Sequence, residues 1–187
     1  SLVGSEMCIR DSNKGVDFKL GTFGAGHGAT TSNLKGGLGS ASIVLSNGVT
    51  VGALVAVNPS GSVVTEGTNS FWASPYEANK EFGGKSFEFP NKIFSEYFRG
   101  DDNRKDSFSI KNTTIAIVAT DLDLSKVELR RVSVAAHDGI SRAIVPSHTP
   151  YDGDLVFSVS TARIKTKIEQ SDIYNIGHAA SICLSRA

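Results

Sequence analysis

Residues 111–129 read KNTTIAIVATDLDLSKVEL, and two patterns within this stretch decide the fold class. From Thr114 to Thr120 both alternating sets of positions are apolar or threonine, as expected of a strand covered on both faces. Soon after it, Ser125 and Glu128 stand three apart, the spacing of a capping box in which each side chain serves the other's backbone amide. Leu129, Val132, Ala136, Ile140, Ala143 and Ile144 then recur at helical spacing and form one apolar stripe. Pro146 ends the helix, since it lacks an N–H and clashes with the preceding turn. A buried strand feeding an amphipathic helix predicts a mixed α/β (α+β) layered structure.

Working outward toward the C-terminus, LVFSVSTA (residues 155–162) predicts a second strand and IYNIGHAASICL (residues 173–184) a second amphipathic helix. The stretch from Ser171 to Ala187 reads as a helix that stops without a cap. Toward the N-terminus, SASIVLS (40–46) and VTVGALVAVN (49–58) flank Asn47-Gly48, a strong hairpin signal that we place at the centre of the sheet. Residues 21–39 are glycine-dense, which implies close backbone approach there. Residues 61–109 are polar, contain the single Trp72 and the charged run DDNRKD (101–106), and read as a long excursion with an exposed end. Residues 1–12, SLVGSEMCIRDS, resemble a translated sequencing adaptor and lack the basic start and apolar core of a signal peptide. The expectation is a fragment with residues 1–12 as an artefact, 13–112 as the C-terminal part of one processed chain, and 113–187 as the chain that follows.

Composition narrows the function. Lys+Arg and Asp+Glu balance at 19 each in 187 residues, so no global field attracts nucleic acid or an anionic membrane. No apolar run approaches the ~20 residues a membrane span needs. The two cysteines, Cys8 and Cys183, lie near opposite ends without ligand-spaced neighbours, so neither a disulfide framework nor a zinc site is indicated. The expectation is a soluble, cytoplasmic protein without metal or cofactor. Gly21, Gly24, Gly26 and Gly28 evoke a phosphate loop, but Ala29 occupies the third glycine position and no acidic ribose partner follows. His27, His137, His148 and His178 are scattered, and structural roles are expected for His137 and His148.

Asn112-Thr113-Thr114 lies where the charged excursion meets the buried strand, so a chain break there would cost little core packing. A threonine at a new N-terminus carries nucleophile and base in one residue, because the freed α-amine has a reference pKa near ~7.7. Read in isolation, a threonine opening a strand is a good β-former, and Asn-Thr-Thr also matches a glycosylation sequon. Asp152-Gly153-Asp154 is by itself an ordinary turn, Asn58-Pro59 another, and Lys35 a lysine among glycines.

Three ordered blocks carry a resemblance: GAGHGATTSNLKGGLGSAS (24–42), KNTTIAIVATDLDLSKVEL (111–129) and AAHDGISRAIVPSHTPYDGDLVFSVST (135–161). Together they resemble the family of L-aminopeptidase/D-esterases, β-aminopeptidases and nylon-oligomer hydrolases. That resemblance implies a four-layer αββα sandwich, shared with ornithine acetyltransferases, and self-cleavage between Asn112 and Thr113. It places the nucleophile on Thr113 and supporting roles on Lys35, Asn58, Asp152 and Asp154. Lys35 would hold the new amine neutral by like-charge repulsion and donate to the threonine oxygen. Asp152 and Asp154 would orient that lysine, and the Asn58 amide would donate to the developing oxyanion. The implied reaction is hydrolysis of small peptides or peptide-like amides by a homo-oligomer of processed units. The alternatives are acyl transfer of the ornithine acetyltransferase kind and a non-catalytic remnant.

Overall fold

A computed structural model describes residues 17–65, 67–68, 70–89 and 112–187. Four strands, β1 (Gly37–Val44), β2 (Thr50–Val57), β3 (Ile115–Leu122) and β4 (Leu155–Ile164), form one sheet in that order. The first two junctions are antiparallel and β3–β4 is parallel, with Ile115 opposite Leu155 and Ile117 opposite Phe157. Two parallel neighbours need a crossover, and α1 (Lys126–Ala143) supplies it. The chain then closes with α2 (Gln170–Arg186).

The expected local signals act as expected around α1. Ser125 Oγ accepts from the Glu128 amide (3.4 Å), and the Glu128 carboxylate accepts from the Ser125 amide (2.7 Å). Val132, Ala136 and Ile140 are buried, as is Ile144 at the helix end, so the stripe faces inward. It meets Val51, Ala116, Val118 and Leu122 from the sheet and Ile176, Ala180 and Cys183 from α2. Each fully buried valine or isoleucine there contributes about 1.5–3 kcal/mol. Burial pushes the Cys183 thiol up to about 11, so it packs as a neutral apolar group. α2 starts with its own capping box, Glu169 with Asp172. No helix among the described residues is long and apolar enough to cross a membrane.

Two expectations need correction. The hairpin around Asn47-Gly48 forms, with Gly48 at φ +85°, but of its two strands β1 is an edge of the described sheet and β2 alone is internal. Among the described residues, strand β3 is covered on one face only. Its alternate residues Ile115 and Ile117 are 48% and 44% exposed, and their β4 neighbours Leu155 and Phe157 are similarly open. The reason is that the core contacts of both helices lie on the same side of the sheet, so the described residues form one helical and one sheet layer. Residues 1–16 and 90–111, which include the adaptor-like start and the DDNRKD run, lie outside the described residues.

The helix pair depends on a close approach at Gly139. A Cβ there would stand 2.4 Å from the Ser181 carbonyl oxygen and 2.9 Å from Leu184 Cβ. Alanine improves helix propensity by about 1 kcal/mol, yet overpacking typically costs about 1–3 kcal/mol and pushes the helices apart. Gly139→Ala is therefore expected to lower the urea midpoint despite the better helix former.

Candidate active site

The chemistry-bearing residues converge at the N-terminal end of β3. Thr113 precedes the strand and is half-buried, while Thr114 is fully buried beneath it. The Thr113 hydroxyl donates to the Asn112 carbonyl oxygen at 2.6 Å. The Gly153 amide donates to the same oxygen at 3.1 Å, and the Thr113 amide donates to the Asn58 carbonyl at 2.7 Å. The peptide bond between Asn112 and Thr113 is thus gripped on both of its polar atoms.

Two carboxylates pin the loop that supplies Gly153. Asp152 accepts from the Ser60 amide (2.9 Å), the Ser60 hydroxyl (2.8 and 3.0 Å) and the Thr149 hydroxyl (2.6 Å). Burial pushes the Asp152 carboxyl up, but hydrogen bonds from Thr149 and Ser60 outweigh burial and hold it below the ordinary carboxylate range. Asp154, with its side chain 2% exposed, accepts from the Thr114 amide (3.0 Å) on one oxygen. Its other oxygen takes the His148 amide (3.2 Å) and His148 Nδ1 (2.8 Å). The DGD turn is therefore stitched both to the segment after β2 and to the start of β3.

Asn58 follows β2, and its Oδ1 accepts from the Thr30 amide at 3.0 Å, which sets the orientation of its side-chain amide. Lys35 is exposed and joins this corner through its backbone bridge to Thr30. Gly36 brings the lysine segment directly against β2, since a Cβ there would lie 2.0 Å from the Val57 carbonyl oxygen. The fold thus gathers Asn112, Thr113, Asn58, Asp152 and Asp154 by direct contacts, and links the Lys35 backbone to Asn58 through Thr30. The contacts that hold the two aspartates come from Ser60, Thr149, Thr114 and His148 rather than from Lys35.

Sequence reasoning missed four of these partners. Thr149 stands three residues before Asp152, a local turn signal that can be read. Ser60, Gly153 and His148 carry no such signal. His148 sits at φ +54°, and its imidazole is 5.1 Å from that of His137. Burial, followed by repulsion from His148, holds His137 below its usual pKa. A base whose folded pKa is depressed contributes stability above its unfolded pKa and loses it as pH falls from about 6.5 through the folded value. His137→Gln is accordingly expected to flatten the fall in urea midpoint between about pH 7 and about pH 5.

Solved structures share this architecture. A β-aminopeptidase from Burkholderia sp. superposes with a TM-score of 0.61 at 19% identity, over 100% of this chain and 50% of that one. An L-aminopeptidase D-Ala-esterase/amidase from Ochrobactrum anthropi, titled as a new variant of the N-terminal-nucleophile hydrolase fold, gives 0.55 at 23% identity, over 91% and 43%. The chain therefore shares the fold of these two enzymes, the mixed α/β layered class that the resemblance of the three blocks implies. Residues 5–187 match peptidase family S58, and the chain belongs to that family. An uncharacterised aminopeptidase of Mycobacterium leprae is 40% identical over 178 residues, 90% of this chain and 47% of that protein. A 6-aminohexanoate-oligomer endohydrolase of Paenarthrobacter ureafaciens is 42% identical over 53 residues, 28% of this chain and 15% of that protein. The chain spans about half the length of its long curated matches.

Proposed function

We propose that this chain carries the nucleophile of an amide hydrolase that severs itself between Asn112 and Thr113. It then hydrolyses peptides or peptide-like amides, in aminopeptidase fashion, through a Thr113 acyl-enzyme. One observation carries the reading: the Thr113 hydroxyl lies 2.6 Å from the carbonyl oxygen of the bond before it, at a strand end whose register the neighbouring loops fix. Names of relatives add support, since the long curated matches are called aminopeptidases.

After cleavage, the nitrogen that now donates to the Asn58 carbonyl becomes a primary amine, with a reference pKa near ~7.7. In its neutral form it takes the hydroxyl proton as Thr113 Oγ attacks a substrate carbonyl carbon. The same proton then passes to the leaving amine as the substrate C–N bond breaks. Water attacks the resulting ester and releases the acyl group. Lys35, on the segment that bridges Thr30, favours the neutral amine through its positive charge. The Asn58 side-chain amide serves as a donor to the substrate oxyanion, where one donor is worth ~10²- to 10³-fold in rate.

The test is intact-mass spectrometry of the full-length protein. A fragment running from Thr113 to Ala187 within this sequence, with a free threonine amine, is expected. A cut at another bond, or activity from a wholly uncleaved polypeptide, overturns the reading.

A further inference from the structure

We propose that Gly153 is part of the self-cleavage machinery: its backbone amide polarises the Asn112 carbonyl, and its missing side chain leaves room for the Thr113 hydroxyl. The inference rests on the reading of Thr113 as nucleophile. Two independent features of the structure carry it. First, the Gly153 N–H donates to the Asn112 oxygen at 3.1 Å, the atom on which negative charge develops when the carbonyl is attacked. Second, a Cβ built on Gly153 would lie 2.9 Å from Thr113 Oγ and 3.6 Å from its Cγ2. Gly153 is not among the residues with positive φ, so its backbone conformation is open to any residue and only the hydroxyl requires a glycine.

Its placement is rigid because both flanking residues are anchored. Asp152 is held by Ser60 and Thr149, and Asp154 by Thr114 and His148. A donor fixed in this way need not reorganise as the oxyanion forms. In the step, Thr113 Oγ bonds to the Asn112 carbonyl carbon and the carbonyl π pair moves onto oxygen, facing the Gly153 N–H. The hydroxyl proton ends on the Thr113 nitrogen, the C–N bond breaks and an ester links Asn112 to Thr113 Oγ. Hydrolysis by water then yields the Asn112 carboxylate, the Thr113 hydroxyl and a free amine.

The experiment replaces Gly153 by glycolate in the full-length protein, using amber suppression in cell-free synthesis. This exchanges one N–H for an ester oxygen and adds no side chain. Cleavage, followed on gels after synthesis, is expected to slow by roughly 10²- to 10³-fold. Gly153→Ala keeps the N–H but displaces the hydroxyl, and is expected to slow cleavage as well. In a Thr113→Ala background the same alanine is expected to leave the unfolding midpoint unchanged, because the hydroxyl it would meet is gone. Wild-type cleavage rates in either the glycolate or the alanine protein overturn this proposal and leave Thr113 as nucleophile intact. Cleavage that persists in Thr113→Ala overturns the underlying reading instead.

Discussion

Thr113→Ala is expected to leave the full-length polypeptide in one piece and to lower amide hydrolysis by at least about 10⁴-fold, the scale of removing a nucleophile that works as a unit with its base. The same change is expected to cost about 1 kcal/mol or less of stability. Among the described residues the lost hydroxyl has one hydrogen-bond partner, the Asn112 carbonyl, and that oxygen keeps the Gly153 N–H. The backbone bonds that seat β3 here, from Thr113 N to Asn58 and from Leu155 N to Thr114, are untouched. A variant that is folded, uncleaved and inactive therefore separates chemistry from structure. Thr113→Ser keeps the hydroxyl and loses a methyl group, so it is expected to restore cleavage. Intact mass, hydrolysis of a chromogenic aminoacyl anilide and urea titration measure these three properties.

Asp154→Ala is expected to act on stability first and on cleavage as a consequence. The carboxylate is 2% exposed and serves three donors, the Thr114 amide, the His148 amide and His148 Nδ1. Removing it leaves backbone N–H groups without acceptors, at roughly 1–3 kcal/mol for each one that water cannot reach. A loss of about 3 kcal/mol in unfolding free energy is expected, measured by urea titration in the uncleavable Thr113→Ala background so that processing does not interfere. Asp154→Asn retains one acceptor oxygen, and about half of that loss is expected from it. Self-cleavage in otherwise wild-type protein should slow in the same order, because Asp154 positions both Thr114 and the turn that carries Gly153. Equal stability of all three proteins would show that the carboxylate is not the anchor described above.

Several parts of this molecule were legible in the linear chain because their causes are local. The Ser125–Glu128 box and the Val132, Ala136, Ile140 stripe involve residues three or four apart, and helical geometry alone brings such residues together. The Asn47-Gly48 turn likewise reports a local φ requirement. The candidate site was legible only as a set of motifs. Thr113, Asn58, Asp152 and Asp154 could be named through the resemblance, but Ser60 lies 92 residues from the Asp152 carboxylate that it holds. His148 looked like a loop residue with a structural role, and nothing in its spacing points to Asp154.

The amino-acid order by itself determined the element types, the helix boundaries and the position of a threonine at a strand end, since backbone propensity, capping and hydrophobic period act over a few residues. Only the tertiary structure decided which face of β3 the helices cover, which groups hold each aspartate and which amide meets the Asn112 carbonyl. Those outcomes depend on the register between distant strands. A shift of one residue in that register would turn every side chain to the opposite face and part the donors from their acceptors, and no local pattern encodes it.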